Sequence, residues 1–117
     1  MLNTVNPGKA YLACASTDLR MSIDGLAAIV KMRFKLDPFS NCLFVFCNKS
    51  RTRIKILEWE CTGFWLHLKR LEQGKFNWPN DEKEVKSINS RELRWLLDGL
   101  SIVQPKAHKE VKQRDLI

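Results

Sequence analysis

The chain has 117 residues, 44% hydrophobic and 28% charged, with 20 Lys/Arg against 13 Asp/Glu for a net charge of +7. That length suits one domain with a buried core and is too short for two, and the composition is neither that of a disordered chain nor that of a membrane protein. No apolar run reaches the roughly 20 residues of a spanning helix, and the N-terminus lacks a charged region followed by an apolar core, so a cytoplasmic protein without a membrane is expected.

The surplus charge favours a polyanionic partner and is unevenly spread. Lys49 to Pro79 carries seven Lys/Arg against three acids, more than half of the excess. The four cysteines, Cys14, Cys42, Cys47 and Cys61, contain no C-x-x-C pair. They read as free thiols in a reducing compartment, with a disulfide or zinc site as the minority reading.

In chain order, Met1 to Lys9 reads as a lead-in ending in the turn signal Asn6-Pro7-Gly8. Ala10 to Ala15 is a short apolar strand candidate whose sheet partner is not legible. From Ser22 to about Lys35, Ile23, Leu26, Ala27, Val30 and Phe34 follow helical spacing, cations crowd the last turns and Pro38 bars continuation. Gly25 within it implies close packing or a loose first turn. Cys42 to Cys47 is apolar at every position, which predicts a central strand covered on both faces.

Two further strands follow. Arg53 to Glu60 puts Ile54 and Ile56 on one face and Lys55, Leu57 and Trp59 on the other; beyond a tight turn in which Gly63 could take a positive φ, Phe64, Leu66 and Leu68 alternate with Trp65, His67 and Lys69. Leu71 to Pro79 is expected to return Phe76 and Trp78 to the sheet, and Asn80 to Glu84 to form a loop. Val85 to Ile88 is a possible short strand. Asn89 with Glu92 forms a capping box ahead of a helix through Leu93, Leu96 and Leu97 that ends near Gly99. The expectation is an α+β protein, an antiparallel β-meander packed against two amphipathic helices, with one domain over residues 1–105 and a basic mobile tail over 106–117.

Three constellations could carry function. Cations interleaved with aromatic rings can bind nucleic acid, the cations meeting phosphates and the rings stacking on bases. Arg51, Arg53, Lys55, Lys69 and Arg70 are the phosphate candidates, and Trp59 and Trp65 the stacking or partner-contact candidates; the bland alternative is a solvated sheet face over buried tryptophans. Asp18, Arg20 and Asp24 could form a catalytic or metal cluster, but acids at a helix start are ordinarily capping groups paired with arginine. Glu58 and Glu60 share a face without any sign of a pocket, and His67 and His108 lie too far apart in sequence to suggest a metal pair. No nucleotide-binding, hydrolase or metalloprotease signature occurs, and no catalytic residue, cofactor or metal is assigned.

Several blocks in order resemble the accessory protein encoded by the second open reading frame of insertion-sequence-66 type bacterial transposons, often called TnpB. Thr17-Asp18-Leu19-Arg20 followed by Asp24-Gly25-Leu26 is similar to that family's T-D-M-R-K-G-x-D-G-L. Asp37-Pro38-Phe39-Ser40 with Leu43-Phe44-Val45-Phe46 is similar to its D-P-F-S-G-x-L-F-V-F, and Arg53 to Leu57, Trp59, Gly63, Lys69 to Glu72, Gly74, Phe76 and Trp78-Pro79 continue the match. Met21, Ser22 and Asn41 depart from it, the first where the family usually has lysine, which weakens a phosphate-binding reading of the first motif. The resemblance implies a non-catalytic role in DNA transposition beside a separate transposase. Expected partners are that transposase and DNA; a protein-only adaptor and a nuclease or phosphotransfer enzyme using Asp18, Asp24 and Arg20 are the alternatives. The oligomeric state is not legible.

Overall fold

The strand around which the others are laid is β2, Leu43–Cys47, and its uniformly apolar sequence follows from cover on both sides. Side chains alternate across a strand. Phe44 and Phe46 therefore enter one cluster with Leu26, Val30 and Phe34, while Val45 and Cys47 enter another with Leu93, Leu96 and Leu97. The computed structural model describes residues 9–102. The lead-in before Lys9, the tail over 106–117, the domain limit at 105 and His108 lie outside the described residues.

Strand β1, Ala10–Ala13, precedes helix α1, Ile23–Met32; β3, Arg53–Glu60, and β4, Gly63–Arg70, follow β2; β5, Val85–Ile88, and helix α2, Ser90–Leu97, complete the order. The five strands form one sheet in the order β4-β3-β2-β1-β5. Strand β3 runs antiparallel to both β2 and β4, but β1 pairs with β2 in parallel and with β5 antiparallel. The protein is thus α+β, as expected, but the sheet is mixed and larger than a meander. The meander reading missed that the β1–α1–β2 connection is long enough, as a parallel crossover must be, to set β1 beside β2.

Helix α1 begins after Ser22 and stops sooner than its apolar spacing suggests. Lys35 adopts φ 59, and the N–H of Leu36 folds back to the Val30 carbonyl at 3.0 Å, so the chain has left the helix before Pro38 can act. Gly25 faces Met21 rather than the sheet: a Cβ there would meet the Met21 side chain at 3.3 Å. In α2 the capping box is present, Asn89 Oδ1 accepting from Glu92 N at 2.8 Å and Glu92 Oε1 from Asn89 N at 2.9 Å. This satisfies two amide donors that the helix leaves unpaired.

The loop after β4 does return its aromatics to the sheet. Phe76 is buried, its N–H bonds the Arg51 carbonyl at 2.8 Å, and Trp78 Nε1 donates to the Ala13 carbonyl at 3.0 Å. Between β3 and β4 the positive φ falls on Cys61, φ 47, and not on Gly63. The turn strains its first residue because Cys61 and Thr62 alone connect Glu60 to its partner Gly63.

Candidate nucleic-acid interface

The two-residue turn fixes which side chains of β3 and β4 share a face. Glu60 pairs with Gly63, so odd-numbered residues of β3 lie opposite even-numbered residues of β4. On the α1 side the cross-strand pairs run Arg53 with Arg70, Lys55 with Leu68, Leu57 with Leu66 and Trp59 with Phe64. The α2 side carries Ile54 with Lys69, Ile56 with His67 and Glu58 with Trp65. The two basic and aromatic rows expected from the sequence therefore lie on opposite faces, and Trp59 and Trp65 do not form one platform.

On the α1 side the ladder is cationic at one end and aromatic at the other. Arg53 and Arg70 are exposed, Arg70 beside Glu72 with 2.9 Å between Nη2 and Oε2. Arg53 has no acidic partner among the described residues. Lys55 Nζ donates to the Met21 carbonyl at 3.1 Å, which ties the strand to the segment leading into α1. Lys49 sits exposed in the turn before β3. That turn is stiffened by Asn48, whose Oδ1 accepts from the N–H groups of Thr52 at 2.9 Å and Arg53 at 3.0 Å. An open groove between this turn and the loop after β1 is lined by Thr17, Asp18, Asn48 and Lys49.

At the other end, Asp37 and Pro38 build the turn that presents Phe39. Asp37 Oδ1 accepts from Phe39 N at 2.9 Å, its carbonyl accepts from Ser40 N at 3.0 Å, and Pro38 is buried. Phe39 stays 56% exposed while packing against Trp59 and Phe64, with ring centroids 5.0 and 5.3 Å away. Edge-on and tilted contacts of this kind suit the ring quadrupoles.

The α2 side uses its polar groups internally. His67 Nε2 lies 2.8 Å from Oε1 of Glu58, a carboxylate only 6% exposed, and the His67 ring stacks on Trp65 at 6.0 Å. The indole N–H of Trp65 bonds Glu60. Lys69 Nζ donates to the Leu97 carbonyl at 2.7 Å, placing its charge at the C-terminal end of α2, where the helix dipole favours a cation. Arg51 turns inward as well. At φ 62 its guanidinium carbon lies 5.5 Å from the centroid of the Trp78 ring, and it also approaches the Cys47 thiol. Burial pushes that thiol up and Arg51 opposes the shift; the Cys14 thiol is likewise pushed up, first by burial and then by Asp81.

The first motif forms a surface turn. Arg20 donates to both Asp18 oxygens through Nε and Nη2, at 2.8 to 3.2 Å, and its backbone N–H bonds Oδ1. These bonds hold the Asp18 carboxyl down to about 2 and raise the Arg20 guanidinium. Asp24 is exposed in the first turn of α1, and no group of three His, Cys, Asp or Glu side chains gathers as a metal-holding set among the described residues. Of the other motif residues, Gly25 meets Met21, Trp78 anchors the return loop and Pro79 is half-buried behind it. Two features escaped the sequence reading: the role of Phe39 and the Glu58 with His67 pair. The second follows from the odd-to-even register that a two-residue turn imposes; the same register pairs Trp59 with Phe64, against which the Asp37-Pro38 turn sets Phe39.

Fold and surface together define a small basic α+β module whose conspicuous exposed features are cations and aromatic rings. The chain belongs to the IS66 Orf2 like family, whose model matches residues 8–107. It is 33% identical over 97 residues to the uncharacterized protein y4hO of Sinorhizobium fredii (strain NBRC 101917 / NGR234), covering 83% of this chain and 84% of the relative. It is 31% identical over 105 residues to the uncharacterized protein y4jC of the same strain, covering 90% and 89%. No solved structure matches. Family membership points to an accessory role in transposition. No helix among the described residues is long and apolar enough to cross a membrane.

Proposed function

We propose that this protein is a non-catalytic accessory factor of insertion-sequence transposition that engages DNA through the cationic end of the α1 face. The observation that carries this reading is the register itself. Arg53 and Arg70 stand opposite each other, both exposed, with Lys49 exposed in the adjoining turn. Such a grouping can follow a phosphate backbone, whereas Lys55, Lys69 and Arg51 are held by contacts within the fold and are withdrawn from the contact set. Binding to transposon-end DNA, measured by fluorescence anisotropy across a salt series, is expected to weaken on Arg53→Ala/Arg70→Ala substitution. Unchanged affinity at low salt would overturn the assignment.

A second reading has one observation in its favour. Phe39 stands exposed over the half-buried Trp59 and Phe64 at the opposite end of the same ladder, and a transposase could dock there. Co-purification with the transposase that survives nuclease treatment and is lost in Phe39→Ala would support it. Intact co-purification by that variant would remove this surface from consideration.

A further inference from the structure

The two edges of the sheet are unlike. β5 has four residues, whereas β4 has eight, pairs with β3 in unbroken register along its whole length, and has no strand on its outer side among the described residues. Soluble proteins protect long edges with bulges, prolines or lysines, because the outward N–H and C=O groups otherwise recruit another strand. From Gly63 to Leu68 the strand has none of these, and it leaves Leu68 62% and Trp65 49% exposed.

Which groups point outward follows from the ladder. Leu71 N donates to the Thr52 carbonyl, continuing the pairing beyond Arg53 and Arg70, so odd-numbered residues of β4 bond to β3. The alternation of an antiparallel pair then turns the N–H and C=O groups of Phe64, Leu66, Leu68 and Arg70 outward. From this we infer that the outer edge of β4 pairs with the same strand of a second copy, antiparallel about a two-fold axis at His67, joining two sheets into one.

That register uses every outward group, setting Phe64 opposite Arg70 of the second copy and Leu66 opposite Leu68. On the other face it sets Trp65 opposite Lys69. Each basic residue near the strand end thus stands across from an aromatic residue, while the Lys69-Arg70 pairs of the two copies stand at opposite ends and do not repel. A parallel arrangement would bring those like charges together. The self-complementarity favours a second copy over an unrelated strand, and it rests on the strand edge alone, without the DNA-binding reading.

Sedimentation velocity of the full chain after nuclease treatment, over a concentration series, tests the inference. A dimer of about twice the 13.7 kDa chain mass is expected, converted to monomer by Leu68→Lys at an exposed position, with an unchanged circular dichroism spectrum. In a Cys61→Ser background, His67→Cys should close an intermolecular disulfide on mild oxidation, since residue 67 would face its own copy with Cα atoms about 4.5 Å apart. A wild-type monomer throughout the series would overturn the inference, as would a dimer that resists Leu68→Lys and forms no disulfide through residue 67.

Discussion

Lys69 and Arg53 have the same charge and lie on paired strands, yet Lys69 is bonded to the Leu97 carbonyl while Arg53 is exposed with no acidic partner among the described residues, so replacing each should produce different defects. If Arg53 and Arg70 each meet a phosphate, as proposed, Arg53→Ala/Arg70→Ala should lower the slope of log K against log salt by about 1.8, at about 0.9 per contact. If the affinities of wild type and variant converge near about 1 M salt, that slope amounts to about 60-fold at about 0.1 M. Lys69→Met keeps the apolar stem but loses the 2.7 Å bond to the Leu97 carbonyl and the charge at the end of α2. That should cost about 1 kcal/mol of stability and lower Tm by about 4–8 °C while leaving the salt slope in place. Anisotropy titrations and thermal unfolding on the same preparations separate the two. A Lys69→Met variant with unchanged Tm and a slope reduced as much as that of Arg53→Ala would refute the division of roles.

Three further outcomes are expected. Phe39→Ala removes two ring contacts and should cost about 1–2 kcal/mol, with a red shift of tryptophan emission as Trp59 gains water; equilibrium denaturation followed by fluorescence checks both. His67→Leu strands the buried Glu58 carboxylate and should cost about 1–3 kcal/mol in urea unfolding, much of it recovered when Glu58→Leu is added, because an apolar pair leaves no unpaired group. Asp18 is held down to about 2 from 3.8, so its contribution is present above 3.8 and is lost as pH falls from there toward about 2. The stability difference between wild type and Asp18→Asn should accordingly close over that window in acid titrations; a difference that stays constant would refute the pairing with Arg20.

The elements that were legible are those whose signals are local. The all-apolar Leu43–Cys47 run reads as a strand covered twice because nothing else explains five consecutive apolar residues there, and Asn89 with Glu92 reads as a cap because two side-chain bonds need only that spacing. The place of β1 was illegible for a physical reason. A parallel neighbour is reached through a helix that records nothing about which edge it returns to, and β5 then pairs with a strand more than 70 residues earlier.

The basic surface was legible in composition and misplaced in space. Charge and aromatic alternation along β3 and β4 identify a two-sided hairpin, but the number of residues in the turn decides whether their rows coincide, and Cys61-Thr62 puts them out of phase. One consequence bears on function. Because Trp65, His67 and Lys69 are spent on Glu60, Glu58 and Leu97, the α2 face holds the fold together, and the α1 face keeps exposed cations at one end and the exposed Phe39 ring at the other. Its two ends are separated by three residue steps of two along β3, about 20 Å at strand rise. DNA at Arg53 and Arg70 and a protein partner at Phe39 could therefore be held at the same time, and substitutions at one end should leave binding at the other intact.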